Sequence, residues 1–286
     1  MKRSYFKYIF GLLLFGSNGI VASYIDLSSY EIVLLRTLIG SLLLIILFFM
    51  GKGTMTFYQY KKQFFCLVVS SIAMGASWMF LYEAYARIGV SISSLLYYCG
   101  PVIVMALSPL LFKEKLTAIK VVGFLSVLCG VFLVNGNAFD GNGDTFGIFC
   151  GLLSAVMYSL MVIFNKKAYN ITGLENAALQ LLISFLTVAA FVGFKQGFEI
   201  HIQQSSILPI LILGLLNTGI GCYFYFSSIG NLPVQTVAIC GYLEPLSAVL
   251  FSVLLLKETM LPIQIVGAVM ILGGAVFGEC IKRGEA

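Results

Sequence analysis

The sequence predicts an all-α polytopic membrane protein: ten transmembrane helices, arranged as two inverted five-helix repeats around a central cavity. Three observations lead there. With 60% hydrophobic residues, 10% charged residues and a mean hydropathy of +1.00, the 286-residue chain has too little polar side chain to coat a soluble globule. Polar loops cut it into ten apolar stretches of roughly 17 to 25 residues, the length a helix needs to cross about 30 Å of hydrocarbon. Finally, Val90–Gly130 lies over Val234–Gly274 without a gap, identical at 13 of 41 positions at a constant offset of 144 residues. A closed barrel would need alternating apolar and polar residues in short strands, a pattern this chain lacks.

The expected spans are 5–25, 29–50, 63–86, 91–112, 117–135, 145–165, 175–195, 206–229, 234–256 and 261–281. The first follows Lys2 and Arg3 and could be mistaken for a secretory signal, but its length and the spans behind it favour an uncleaved helix. Asn18 falls near its middle. In the second span, Arg36 lies about seven residues in, roughly 10 Å below the outer end. The reading taken for it is a structural ion pair with Glu83 or Glu31; facing the cavity, it would hold a substrate carboxylate instead. The third span ends in WMFLYEAY, which carries Trp78, Tyr82 and Glu83, the last a rim or gate residue or a solvated helix end.

The fourth span carries Tyr97, Tyr98 and Pro101 and ends in Lys113-Glu114; the ninth carries Tyr242, Glu244 and Pro245 and ends in Lys257-Glu258. Tyr98 pairs with Tyr242 and Pro101 with Pro245 in the repeat. A helix-interior proline frees the carbonyl four residues back, here those of Tyr97 and Gly241, so the two prolines are expected as equivalent hinges or as static kinks. Glu244 lies about ten residues into its span, near 15 Å deep, where a carboxyl favours its neutral, proton-carrying form. It is the candidate for proton coupling or for holding an ammonium group, or else a protonated packing residue; its repeat partner is Gly100, so the fold itself does not demand a carboxyl there. Tyr158 and Asn217, in spans six and eight, suit helix bridging. With Tyr97, Tyr98, Tyr242, Trp78, Tyr82, Asn18, Arg36 and Glu244 they complete the expected substrate-binding set, since rings and a few placed polar groups suit a small cationic or amphipathic ligand. Tyr223 and Tyr225 are further candidate wall residues. Gly147-Gly151 and Gly274-Gly278 fit close helix approach, within a monomer or between two copies.

Each repeat holds five spans, an odd number, so the second must enter the membrane from the side opposite the first. Residues 1–135 and 145–286 are then the two halves, joined by the turn-rich loop 136–144. With the N-terminus cytoplasmic, 13 Lys and Arg fall inside and only Arg87, Lys195 and Lys257 outside, which places both termini in the cytoplasm of a cell with this protein in its inner or plasma membrane. The +5 charge is therefore topological, scattered over short loops, and no nucleic-acid surface is expected. Seven cysteines without CxxC spacing read as packing residues, and the single histidine, His201, as a loop residue, so no metal is expected.

FGSNG (Phe15 to Gly19), SLLYYCGPVIVMALSPLLFKEKLT (Ser94 to Thr117) and its echo GYLEPLSAVLFSVLLLKE (Gly241 to Glu258) resemble the EamA family of the drug/metabolite transporter superfamily, across essentially the whole chain. The resemblance implies a ten-helix carrier with a cavity between its halves, often an exporter of amino acids, metabolites or toxic small molecules. No GxxxxGK[ST] loop occurs, so a proton, ion or substrate gradient would supply the energy, and no cofactor is expected. The expected function is alternating-access export of a small amphipathic metabolite such as an amino acid or amine. The alternatives are import or passive facilitation on the same scaffold, or a structural partner subunit. An enzyme is disfavoured, because no nucleophile-base pair is recognisable.

Overall fold

The computed structural model describes residues 2–135, 144–198, 200–256 and 262–280. These residues are helical with short connections and contain no strands, as expected where backbone polar groups must be satisfied within their own segment. In chain order the elements are α1 (Lys2–Gly16), α2 (Asn18–Ala22), α3 (Ser29–Met50), α4 (Lys61–Tyr97), α5 (Cys99–Phe112), α6 (Ala118–Asn135), α7 (Thr145–Lys167), α8 (Gly173–Lys195), α9 (Gln204–Ile212), a π-helical segment (Leu213–Ile220), α10 (Gly221–Ile229), α11 (Val234–Gly241), α12 (Leu243–Leu256) and α13 (Pro262–Cys280). Among the described residues, six stretches are long and apolar enough to cross a membrane: Lys2–Ala22, Ser29–Met50, Lys61–Tyr85, Thr145–Lys167, Gly173–Lys195 and Gln204–Ile229. Cys99–Phe112, Ala118–Leu133 and Ile265–Gly274 are shorter apolar helices.

Helix starts follow from local chemistry. Ser28 and Glu31 form a reciprocal capping box on α3, the Ser28 hydroxyl accepting from the Glu31 N–H and the Glu31 carboxylate from the Ser28 N–H. Asp144 caps α7 by accepting from the N–H groups of Phe146 and Gly147. One boundary differs from expectation: the separation expected between 86 and 91 does not occur, and α4 runs on for 37 residues to Tyr97. The interruption falls at Tyr98. Pro101 is then the third residue of α5, and Pro245 the third of α12. In a first turn the missing N–H costs no intrahelical bond, so each proline starts a helix rather than bending the middle of one.

The packing partnerships exchange the two halves of the chain. α4 packs on α7 as α10 packs on α1; α5 packs on α7 as α12 packs on α1; α4 packs on α8 as α10's π-helical extension packs on α3. α6 and α13 pair with each other through glycines. A Cβ at Gly130 would stand 2.5 Å from the Gly267 carbonyl oxygen, and one at Gly274 would stand 2.5 Å from that of Gly123. These two contacts map onto each other by the 144-residue offset, and they fix the two helices in opposite directions. Ser126, between them, donates to the carbonyl of Met270, its own repeat partner. The Lys-Glu motif also has a visible use. Lys113 ends α5 in the left-handed region (φ 56°), and the turned chain brings Glu114 to the N-terminus of α11, where it accepts from the N–H groups of Val234 and Gln235. Its counterpart Lys257-Glu258 lies outside the described residues, as does most of the 136–144 loop.

Gly274→Ala is expected to lower the melting temperature of the detergent-solubilised protein, by an overpacking cost of about 1–3 kcal/mol. Gly273→Ala, where a Cβ meets nothing within 4 Å, should leave it unchanged. Equal melting of the two variants would remove the glycine seam from the account.

Candidate functional site

Four of the helical runs are interrupted: at Ser17 between α1 and α2, at Tyr98 between α4 and α5, over Leu213–Ile220, and at Tyr242 between α11 and α12. The backbone at Ser17 (φ −83°, ψ −4°), Tyr98 (−70°, −2°) and Tyr242 (−72°, −4°) is nearly the same. Beside these interruptions lies a cavity of about 40 Å³, room for about three waters. Its polar groups are Asn18, Arg36, Tyr97, Tyr158, Tyr225 and Glu244, and its apolar wall is Phe15, Met74, Trp78, Met161, Cys222 and Phe226.

Arg36 is held from three sides. Its Nε donates to Thr218 Oγ1 at 2.9 Å, its Nη1 donates to the Tyr82 hydroxyl at 3.4 Å, and its guanidinium lies 4.7 Å from the centre of the Trp78 ring. Thr218 sits in the π-helical segment and donates its own hydroxyl to the Leu213 carbonyl, five residues back. The ion pair expected for Arg36 is not formed. Glu31 is consumed by the α3 cap, and Glu83 accepts from Arg87 and Lys195 instead. Among the described residues no carboxylate lies within 4.0 Å of Arg36.

Glu244 is the second residue of α12, and α1 approaches its backbone so closely that a Cβ on Gly16 would stand 2.9 Å from the Glu244 carbonyl oxygen. Its side chain has no hydrogen bond or ion pair among the described residues. Asn18 Oδ1 is likewise buried without a hydrogen-bond partner. The cavity thus presents an acid and an unused acceptor together with a guanidinium that has donors to spare. Rings close it: Tyr97 meets Tyr158 at 5.3 Å between centroids, Tyr158 and Tyr225 share a 3.4 Å hydroxyl contact, and Phe15 lies 5.8 Å from Tyr225.

Of the sequence-selected residues, Asn18, Arg36, Trp78, Tyr97, Tyr158, Tyr225 and Glu244 come together here. Tyr82 stands behind Arg36. Asn217 donates to the Leu14 carbonyl and to Ser17 Oγ, holding the α1–α2 interruption open rather than lining the cavity. Tyr98 and Tyr242 face each other at 6.2 Å, and the fully buried Tyr242 donates its hydroxyl to the Tyr98 carbonyl at 2.6 Å, so they tie the two interruptions together. Pro101 is buried beside them, and the Pro245 side chain lies outside the described residues. Sequence reasoning passed over Ser17, Thr218, Phe15 and Phe226. The polar pairs Ser17-Asn18 and Asn217-Thr218, each next to glycine in an apolar span, were the available signal.

A helical membrane bundle with a charged, ring-lined site beside interrupted helices has the build of a transporter. The EamA-like transporter family matches residues 3–136 and again 145–277, and the chain belongs to that family. It is similar to the uncharacterized transporter YxxF of Bacillus subtilis, 25% identical over 98% of this chain and 90% of that one. It is also similar to the uncharacterized inner membrane transporter YicL of Salmonella typhimurium, 22% identical over 100% and 98%. One crystal structure shares the fold with a TM-score of 0.82 at 17% identity, over 96% of this chain and 97% of that one.

Trp78 is the only tryptophan. Arg36→Gln should therefore shift its emission spectrum by removing the cation from its face, while the protein still elutes as a single species in detergent. An unchanged spectrum would contradict the contact.

Proposed function

We propose that this protein is a secondary carrier that exports a small zwitterionic or amine metabolite by alternating access, in exchange for a proton. The observation that carries the reading is the joint presence in one cavity of an acid, Glu244, and an acceptor, Asn18 Oδ1, that have no partner among the described residues, and of a guanidinium, Arg36, that forms no ion pair among them. A substrate ammonium suits Glu244 and Asn18, a substrate carboxylate suits Arg36, and the rings of Trp78, Tyr97 and Tyr158 suit the face of an organic cation. Ammonium and proton compete for one carboxyl, and that competition alone couples their movements in opposite directions. A side chain such as Glu244 left charged in hydrocarbon would cost a few kcal/mol or more, so the carrier crosses with either ligand and resists crossing empty.

The reading includes two halves of opposite insertion, residues 1–135 and 145–286, with both termini in the cytoplasm. The exchanged packing partnerships and the mutual glycine contacts of α6 and α13 support it. The cavity of about 40 Å³ is far below the 300 Å³ or more of a ligand pocket, so substrate entry requires opening. The interruptions at Ser17, Tyr98, Leu213–Ile220 and Tyr242 are the natural places for it.

The test is flux from proteoliposomes loaded with a panel of radiolabelled amino acids and amines, with and without an imposed pH gradient. Wild-type protein should release at least one of them faster when protons are driven inward. Glu244→Gln should abolish that acceleration, and an undiminished pH response would reject the coupling role. Arg36→Gln should raise the KM for an amino acid and leave that for its decarboxylated amine largely unchanged; equal effects on both would reject a substrate carboxylate at Arg36.

A further inference from the structure

A second and larger space, about 390 Å³, lies away from the central cavity on the flank of the bundle. Its floor is α4, at Ala76, Met79 and Phe80, and its walls are α7 and α8, which contribute Phe146 and Phe191. Phe146 is 52% exposed and Phe191 42%, so the groove opens sideways, toward hydrocarbon. Along α4 it runs from Ala76 to Arg87, about 16 Å at 1.5 Å per residue, which is close to half of a hydrocarbon core of about 30 Å. It therefore has the length of one leaflet.

Its polar end is a network of four charges. Arg87 donates to Glu83 and to Asp144, each within 3 Å, and Lys195 donates to Glu83 at 3.2 Å and to the Tyr30 hydroxyl at 2.7 Å. Every carboxylate oxygen is engaged: Glu83 Oε1 by Arg87, Glu83 Oε2 by Lys195, Asp144 Oδ2 by Arg87, and Asp144 Oδ1 by the first N–H groups of α7. The donors are not exhausted. Arg87 uses two of its five N–H groups in these bonds and Lys195 two of its three. The cations are accessible, with side chains 39% and 43% exposed, beside an Asp144 that is 37% exposed and above a Glu83 that is 17% exposed. Net charge is balanced, and the mouth keeps N–H donors on Arg87 and Lys195 that these bonds leave unused. A phosphodiester, which carries negative charge and accepts without donating, is its complement.

We propose that this groove binds one anionic phospholipid of the leaflet at that end, its phosphate on Arg87 and Lys195 and one acyl chain along α4 between α7 and α8. Glu83 and Arg87 belong to the first repeat and Lys195 to the second, with Asp144 at the end of the loop that joins them, so such a lipid spans the contact between the two.

The experiment is native mass spectrometry of the full-length protein after exchange into detergent containing equal amounts of phosphatidylglycerol and phosphatidylcholine with identical chains. The expected result is one retained phosphatidylglycerol, with a preference that Lys195→Gln reduces roughly tenfold, the scale of one charge-assisted hydrogen bond. Lys195→Arg should restore the preference. Ala76→Phe, which fills the floor without touching the charges, should reduce retention of the lipid. Equal retention of both lipids by the wild-type protein, or a preference that survives both Lys195→Gln and Ala76→Phe, would overturn the assignment.

Discussion

The hydrogen bond from Arg36 to Thr218 governs the centre of this molecule. A guanidinium at membrane depth needs a protein acceptor, and helices supply few, because their carbonyls are already spent on their own N–H groups. Thr218, in the π-helical segment, resolves this: its hydroxyl donates to the Leu213 carbonyl of its own segment and so offers its lone pair to Arg36. Tyr82 and Trp78 on α4 complete the grip, so three separate elements meet at one cation. Because this holds Arg36 without an ion pair among the described residues, its charge stays available to the cavity.

The same economy recurs at the ends of the bundle. The loop between α10 and α11 is held by Lys166, which donates to the carbonyls of Ile229, Gly230 and Leu232, and by Glu114, which accepts from the first N–H groups of α11. A cation at a helix C-terminus and an anion at the next N-terminus both follow the helix dipole. At the other end Lys195 of the second repeat meets Glu83 of the first, and Arg87 meets Asp144 at the start of α7 and holds its carboxyl below its usual range. Glu114 at one end and the Lys195–Glu83 pair at the other are therefore polar contacts between the repeats, which water can replace more readily than it can replace buried apolar packing.

The sequence made the membrane class, the family and half of the cavity legible. Depth within a span singled out Glu244, Asn18 and Arg36, because a polar atom in hydrocarbon must be accounted for whatever surrounds it. It did not find the partner of Arg36: charge alone suggested Glu83 or Glu31, whereas Glu83 lies among cations and Glu31 serves its own helix cap. Repeat matching drew attention to Tyr98 and Tyr242, and these turn out to bind one interruption to the other. The interruptions at Ser17 and over Leu213–Ile220 contain no proline, and in helices this uniformly apolar neither periodicity nor hydropathy indicates which turn will open or which face, such as that of Phe15 or Phe226, will be turned inward.

The central claim, that the Arg36–Glu244 cavity meets water at each membrane face in turn, is tested most directly by thiol accessibility. A protein keeping only Cys222, which lines the cavity, of its seven native cysteines would be treated with a membrane-impermeant maleimide from either side of sealed vesicles. The account expects labelling from both sides, with each rate reduced by a transported substrate. Labelling from neither side, or from one side only under all conditions, would contradict it.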